Sequence, residues 1–206
     1  EFQPVNIIEE EWNGAQYDIF QLESQGWIGQ TGAPDLPSVQ QLLEIPDLSG
    51  VSLELLSGDF TEIDNINAYP CQERFHEEIE LPLPWAKNEK IYSSADYFPA
   101  ENFQLGEPEL FRNHRIVKGS FFPVQVNPVQ GKARIWSSMR FKLSFSGTNT
   151  INQKTYQISS SNSAMDRMIK SMILNPAEEQ QNIETMLLDP GRSPGNYLIF
   201  AKSAAQ

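Results

Sequence analysis

The sequence predicts a mainly β chain, an antiparallel β-sandwich of jelly-roll type followed by one or two short C-terminal helices. Three observations carry this. From about residue 4 to residue 158, short runs rich in β-branched and aromatic residues alternate with Gly, Pro, Asn and Asp, the rhythm of strands and turns. Within residues 139–145, Met139, Phe141, Leu143 and Phe145 share one face, and Arg140, Lys142 and Ser144 share the other. That is a strand with one face in a core and one in water. After Ile158 the period changes, with Met165, Met168, Ile169 and Met172 at helical spacing.

In chain order, residues 17–22 form the first clear strand candidate. Residues 29–46, GQTGAPDLPSVQQLLEIP, place two glycines and three prolines around an apolar strand at 39–45. Glycine turns without a Cβ penalty, and proline fixes φ and removes a donor, so this segment sets the geometry of a strand's beginning. Residues 51–55 alternate again. Residues 68–100 break the rhythm with Pro70, Pro82, Pro84 and Pro99 and read as a long excursion, which in a compact domain tends to be functional. The basic cluster Arg112-Asn113-His114-Arg115 reads as a polar turn or exposed strand, with Arg112 and Arg115 as candidate partner contacts. A hairpin is predicted between 121–126 and 133–136, across a connection with Pro128 early and Gly131 late.

Residues 164–174 form a helix whose methionine stripe is a packing face, and 177–188 form a second, with Pro176 ahead of it. Residues 189–195, DPGRSPG, are an exposed, protease-sensitive linker. The last run, NYLIFAK, is continuously apolar like a strand buried in a parallel sheet, and is expected to stand apart from the sandwich. The expected organisation is therefore a sandwich over 1–160, a helical and processing segment over 161–195, and the start of another domain over 196–206.

A formal net charge of −12 argues against nucleic acid and anionic membrane surfaces as partners. The single cysteine, Cys71, allows no intrachain disulfide and no cysteine metal cluster. No apolar run approaches the roughly 20 residues of a membrane span. The absence of an initiator Met fits removal of a signal peptide or a boundary cut from a longer chain, and leaves export open. Catalysis is not expected. The only histidines are His76 and His114, a Cys71/His76 pair would sit in one loop without a rigid support, and no calcium or phosphate loop is present. Neither cofactor nor metal is expected.

Several stretches together resemble one family. They are Gly32-Ala33-Pro34-Asp35-Leu36-Pro37, Tyr97-Phe98-Pro99-Ala100-Glu101, Leu110-Phe111-Arg112-Asn113-His114-Arg115, and above all Phe122-Pro123-Val124-Gln125-Val126-Asn127-Pro128-Val129. Their order and spacing resemble the N-terminal prodomains of gingipain-type cysteine peptidases. Tyr197-Leu198-Ile199-Phe200-Ala201-Lys202 is similar to the first strand of the peptidase domain that follows such prodomains. The resemblance implies a non-catalytic intramolecular chaperone and inhibitor of a cognate cysteine peptidase, secreted or held at the surface or periplasm of a bacterium. It also implies an inhibitory loop that offers a substrate-like side chain to the specificity pocket. That loop corresponds to residues 70–98, with Arg74 as the first candidate, Lys87 and Lys90 as alternatives, and Glu77 nearest the family position in an ungapped alignment. The processing linker would be cut near Arg192.

The rival reading is a secreted β-sandwich binding or adhesion module, with Trp12, Trp27, Trp85, Trp136, Tyr69 and Tyr92 lining a surface for a protein or glycan. A protruding loop and a detached last strand would favour the prodomain. Clustered exposed tryptophans and a last strand integrated in the sandwich would favour the module.

Overall fold

The computed structural model describes residues 2–23, 26–73, 84–112, 114–154, 163–176 and 196–199. The chain opens with a hairpin of β1 (Asn6–Trp12) and β2 (Ala15–Gln21), joined by Asn13-Gly14. Both turn residues have positive φ, 52° and 76°, as a two-residue turn matched to strand twist requires.

Two antiparallel sheets follow. One contains β3 (Gly26–Trp27), β4 (Pro37–Glu44), β6 (Phe103–Leu105), β7 (Glu109–Phe111) and β8 (His114–Phe121), in the order β3-β4-β8-β6, with β7 also on β8. The other contains β5 (Gly50–Asp64), β9 (Val124–Asn127), β10 (Lys132–Ser146) and β11 (Asn196–Ile199). The chain changes sheets at Phe122-Pro123, where proline withholds the donor that β8 would need to continue.

The sheets meet through their apolar faces. Val39, Leu43, Val117 and Phe121 of one pack with Leu53, Met139, Phe141 and Leu143 of the other. The alternation read from residues 139–145 is thus the register of the core. A smaller cluster of Phe20, Leu36, Val124, Val126 and Ala133 lies under the first hairpin.

Several expectations are corrected. The candidate strands at 133–136 and 139–145 are one strand of 15 residues, β10, because register shifts at Trp136/Ser138 and Arg140/Phe141 let it bend without breaking. Its partner β5 is equally long. Gly58 lies opposite Met139, between the two shifts, where a Cβ would stand 2.5 Å from the Ser138 carbonyl oxygen.

The predicted helix exists as α2 (Ser163–Met172), but Met168 and Met172 are exposed, and the packing face is Met165, Ile169 and Ile173 against Ile116. The second expected helix, 177–188, lies outside the described residues. The last strand does not stand apart: β11 pairs antiparallel with β10, Arg140 opposite Ile199 through Leu143 opposite Asn196. The reason is an open edge. On that side β9 covers only Lys132–Ile135, which leaves the backbone groups of Arg140–Leu143 to be satisfied by another strand.

The basic cluster is corrected too. His114 and Arg115 are buried in β8, and the Arg115 guanidinium is consumed by main-chain carbonyls, which removes it from any surface contact. Arg112 remains exposed in the β7–β8 turn with φ of 56°.

Candidate functional site

The excursion that breaks the β rhythm leaves the fold at Tyr69–Glu73 and returns through residues 84–98. Both legs are fastened to one rail, the Gly32-Ala33-Pro34-Asp35 segment. Going out, Asp35 N donates to Tyr69 O (2.8 Å), Cys71 N to Ala33 O (2.7 Å), and Gly32 N to Cys71 O (2.7 Å). Coming back, Asn88 N donates to Gly32 O (2.8 Å). Gly32 therefore touches both legs, with φ of 79°, which strains any L side chain, and a Cβ there would crowd the Asn88 backbone at 3.0 Å from its N. Pro34, which has no amide to offer, sits between the amides of Ala33, which donates to Gln30 O (3.0 Å), and Asp35, which donates to Tyr69 O. The dense glycine and proline content of residues 29–46 is explained here: it builds the rail as well as introducing β4.

A side chain ties the legs directly. Gln72 Nε2 donates to Pro70 O (2.6 Å) and Ala86 O (2.9 Å), while its Oε1 accepts from Ala86 N (2.9 Å). The return leg then forms the short helix α1 (Glu89–Tyr92), capped by the Asn88 side chain. Tyr92 Oη reaches back to Ala68 O (2.8 Å), and burial pushes its phenol pKa up, keeping it a donor. Further along, Phe98 and Val126 exchange backbone hydrogen bonds at 2.7 and 2.8 Å.

Tyr97 fastens the same leg to the outer face of β5 and β10. Its hydroxyl donates to Glu62 (2.9 Å), and the Arg134 guanidinium lies 3.9 Å from its ring centroid. The Lys132 ammonium, Tyr97 and Arg134 together hold the Glu62 carboxyl down to about 2.

Aromatic rings surround the point of departure. Tyr69 contacts Trp12 (5.7 Å between centroids), Trp85 (5.7 Å) and Tyr17 (5.8 Å). Tyr17 is buried, Tyr69 and Trp85 are partly covered, and Trp12 is exposed.

The sequence-predicted site residues fare differently. Arg74 and Glu77, and the linker residue Arg192, lie outside the described residues. Lys87 is exposed at the base of the return leg, its ammonium 4.6 Å from the Tyr92 ring centroid, and Lys90 is exposed on α1. Neither is brought together with Arg112 by any contact described above. The Gln72 tie and the role of Gly32 escaped sequence reasoning, since a lone glutamine in an irregular stretch carries no periodic signal. Among the described residues no group of three His, Cys, Asp or Glu side chains is arranged to hold a metal.

Replacing Gln72 by alanine is expected to free the Ala86 amide, which loses its only side-chain acceptor in this tie. At about 1 kcal/mol for that bond, exchange of the amide should accelerate roughly fivefold in hydrogen-exchange measurements, with β10 amides unchanged. Unaltered exchange at Ala86 would show the legs to be held by the rail alone.

A family model described as Propeptide_C25 matches residues 3–175. Gingipain R1 of Porphyromonas gingivalis is 27% identical over 187 residues, covering 84% of this chain and 18% of the relative. Lys-gingipain HG66 of the same organism is 22% identical over 167 residues, covering 77% and 10%. The chain thus spans less than a fifth of the length of these relatives. Among solved structures, the complex of Porphyromonas gingivalis RgpB pro- and mature domains matches with a TM-score of 0.69 at 19% identity, over 85% of this chain and 90% of that one. A chain from the structure addressing zymogenic latency of gingipain K from Porphyromonas gingivalis matches with a TM-score of 0.60 at 19% identity, over 71% and 84%. At such identity these two likenesses establish the fold.

Proposed function

This chain belongs to the Propeptide_C25 family, a non-catalytic propeptide of the gingipain type, and from that premise we propose that it chaperones and inhibits the cysteine-peptidase domain of its own precursor. The excursion between residues 70 and 98 would enter the peptidase cleft and block it until the propeptide is cleaved away. The observation that carries this is the clamp on the excursion's legs. A loop that inhibits rather than being cut gains from a fixed base, because its ordering cost is met before binding. Gly32, Gln72 and Tyr97 supply that base. A pro- and mature-domain complex is the subject of one of the matched structures, which supports the choice of partner.

Within the loop we assign the specificity side chain to Arg74, whose guanidinium can pair bidentately with a pocket carboxylate. Lys87 and Lys90 are less suited, being fixed at the base of the return leg beside Tyr92 and on α1. Glu77 is the competing assignment for a peptidase of different preference. Exposed Arg112 is retained as a peripheral contact. Release would follow cutting in the linker near Arg192, and residues 196–206 would begin the peptidase domain. An exported location, at the bacterial surface or beyond, goes with this role.

The test is the inhibition constant of the purified chain against the peptidase domain of the same precursor, with fluorogenic peptides varied at the residue before the cut. Tight inhibition is expected, weakened tenfold or more by Arg74→Ala without loss of folding. A folded chain that does not inhibit would overturn the inhibitory reading. Retained potency of Arg74→Ala, with loss in Lys87→Ala or Glu77→Ala, would reassign the pocket residue.

A second reading keeps two observations in its favour. Trp12, Tyr69 and Trp85 cluster, and β11 lies within the sandwich, as a protein- or glycan-binding module would have it.

A further inference from the structure

We infer that the Trp12–Tyr69–Trp85 cluster is a second docking surface for the same peptidase domain, seated beside the cleft that receives the loop. The inference rests on the inhibitory reading above and extends it from the loop to the body of the fold. Its basis is where the rings come from. Tyr69 belongs to the outgoing leg and Trp85 to the return leg, and they meet at 5.7 Å across the root of the excursion. A partner that takes residues 74–83 into a cleft brings the rim of that cleft down on these two rings.

Trp12 enlarges the surface from an independent element, the end of β1. It leans on Tyr69 and leaves 45% of its surface exposed. Its indole N–H is already bonded to Glu10 Oε2 (3.0 Å), so the ring is oriented in advance and presents its apolar surface to a partner. The Asn13-Gly14 turn next to it and the Tyr17 ring beneath Tyr69 fix the base of the cluster. A preoriented, half-covered tryptophan on the outer side of a tyrosine and tryptophan group centred on Tyr69 has the composition of an interface hot spot, where truncation of one ring has a large effect. Single exposed apolar residues elsewhere, such as Met168 on α2 at 50%, have no such setting.

The experiment measures inhibition of the precursor's peptidase domain by the full chain and its variants, together with thermal midpoints. Trp12→Ala is expected to weaken inhibition tenfold or more with an unchanged midpoint, Trp12→Tyr to restore most of it, and Met168→Ala to have no effect. If the parent chain inhibits and Trp12→Ala inhibits equally well, the docking surface is wrong while the loop reading stands. If Trp12→Ala lowers the midpoint and inhibition follows the midpoint in both Trp12→Ala and Trp12→Tyr, the ring's role is structural and the inference falls. If the parent chain does not inhibit and instead binds a glycan array through Trp12, both readings fall in favour of a glycan surface.

Discussion

Arg115→Ala is expected to remove about 3–5 kcal/mol of folding stability, the cost of leaving several buried carbonyls without a donor together with the cavity left behind. Arg115 is 1% exposed, and every one of its donors is used. Nη1 donates to Pro46 O (2.7 Å) and Ser49 O (3.0 Å), and Nη2 to Asn149 O (2.9 Å) and Ile151 O (2.9 Å). Nε also points at Ile151 O, at 3.3 Å. One side chain thus binds the connection between β4 and β5 to the segment after β10, from a position on β8. Alanine would leave these carbonyls without their donor and open a cavity the size of the guanidinium. Lysine should not rescue, because three donors on one nitrogen cannot span acceptors on two separate loops. Urea denaturation of the two variants checks this. A loss below about 1 kcal/mol for Arg115→Ala would mean that water replaces the guanidinium and the loops do not depend on it.

His114→Ala is expected to weaken the attachment of α2 to the sheet by about 2–3 kcal/mol, through the loss of two contacts to carboxylates at a partly covered site. The imidazole Nδ1 lies 2.6 Å from Glu44 Oε1 on β4, and Nε2 lies 3.1 Å from Asp166 Oδ1 on α2. Lys170 also reaches Asp166, at 3.4 Å, and the Asn175 side chain brackets the Glu44 backbone, accepting from its amide (2.8 Å) and donating to its carbonyl (3.0 Å).

The pH dependence follows from Asp166, whose carboxyl is held below its ordinary value first by the His114 hydrogen bond and then by Lys170. A depressed carboxyl contributes stability above its unfolded value, and that contribution is lost as pH falls through the folded one. The α2 attachment should therefore survive acidification past the ordinary aspartate range, near 3.9, and fail below it. In His114→Ala the failure should move up toward that range. Hydrogen exchange or proteolysis of α2 between pH 2 and 6 would follow it, and an acid midpoint that does not move in the variant would remove His114 as the cause.

What could be read from the chain alone depended on how local the cause was. The strand at 139–145 was legible because its alternation is the imprint of one core face, and the hairpin of β9 and β10 because Pro128 and Gly131 mark its turn. The first hairpin carried an equally local mark in Asn13-Gly14, which residues 17–22 alone do not display. The methionine stripe of α2 misled because helical spacing admits two neighbouring faces, and only the position of Ile116 selects the one through Ile169 and Ile173. The excursion was legible as an interruption. Its rail was not, since Gly32 pairs with Cys71 and Asn88 across long stretches of intervening chain.

By itself, then, the sequence determined the antiparallel β class, the family through motifs in a fixed order, the place of the excursion and a net acidic charge. These follow from periodicity, composition and residue order, which each segment carries without its neighbours. Tertiary structure alone decided that Arg115 is a buried tie and not a surface contact, that β11 closes an open edge of β10, and that three rings stand at the root of the loop. Each of those depends on which distant groups are left unsatisfied or uncovered once the sheets have paired, and a hydrogen-bonding group or an exposed ring acquires its partner only in three dimensions.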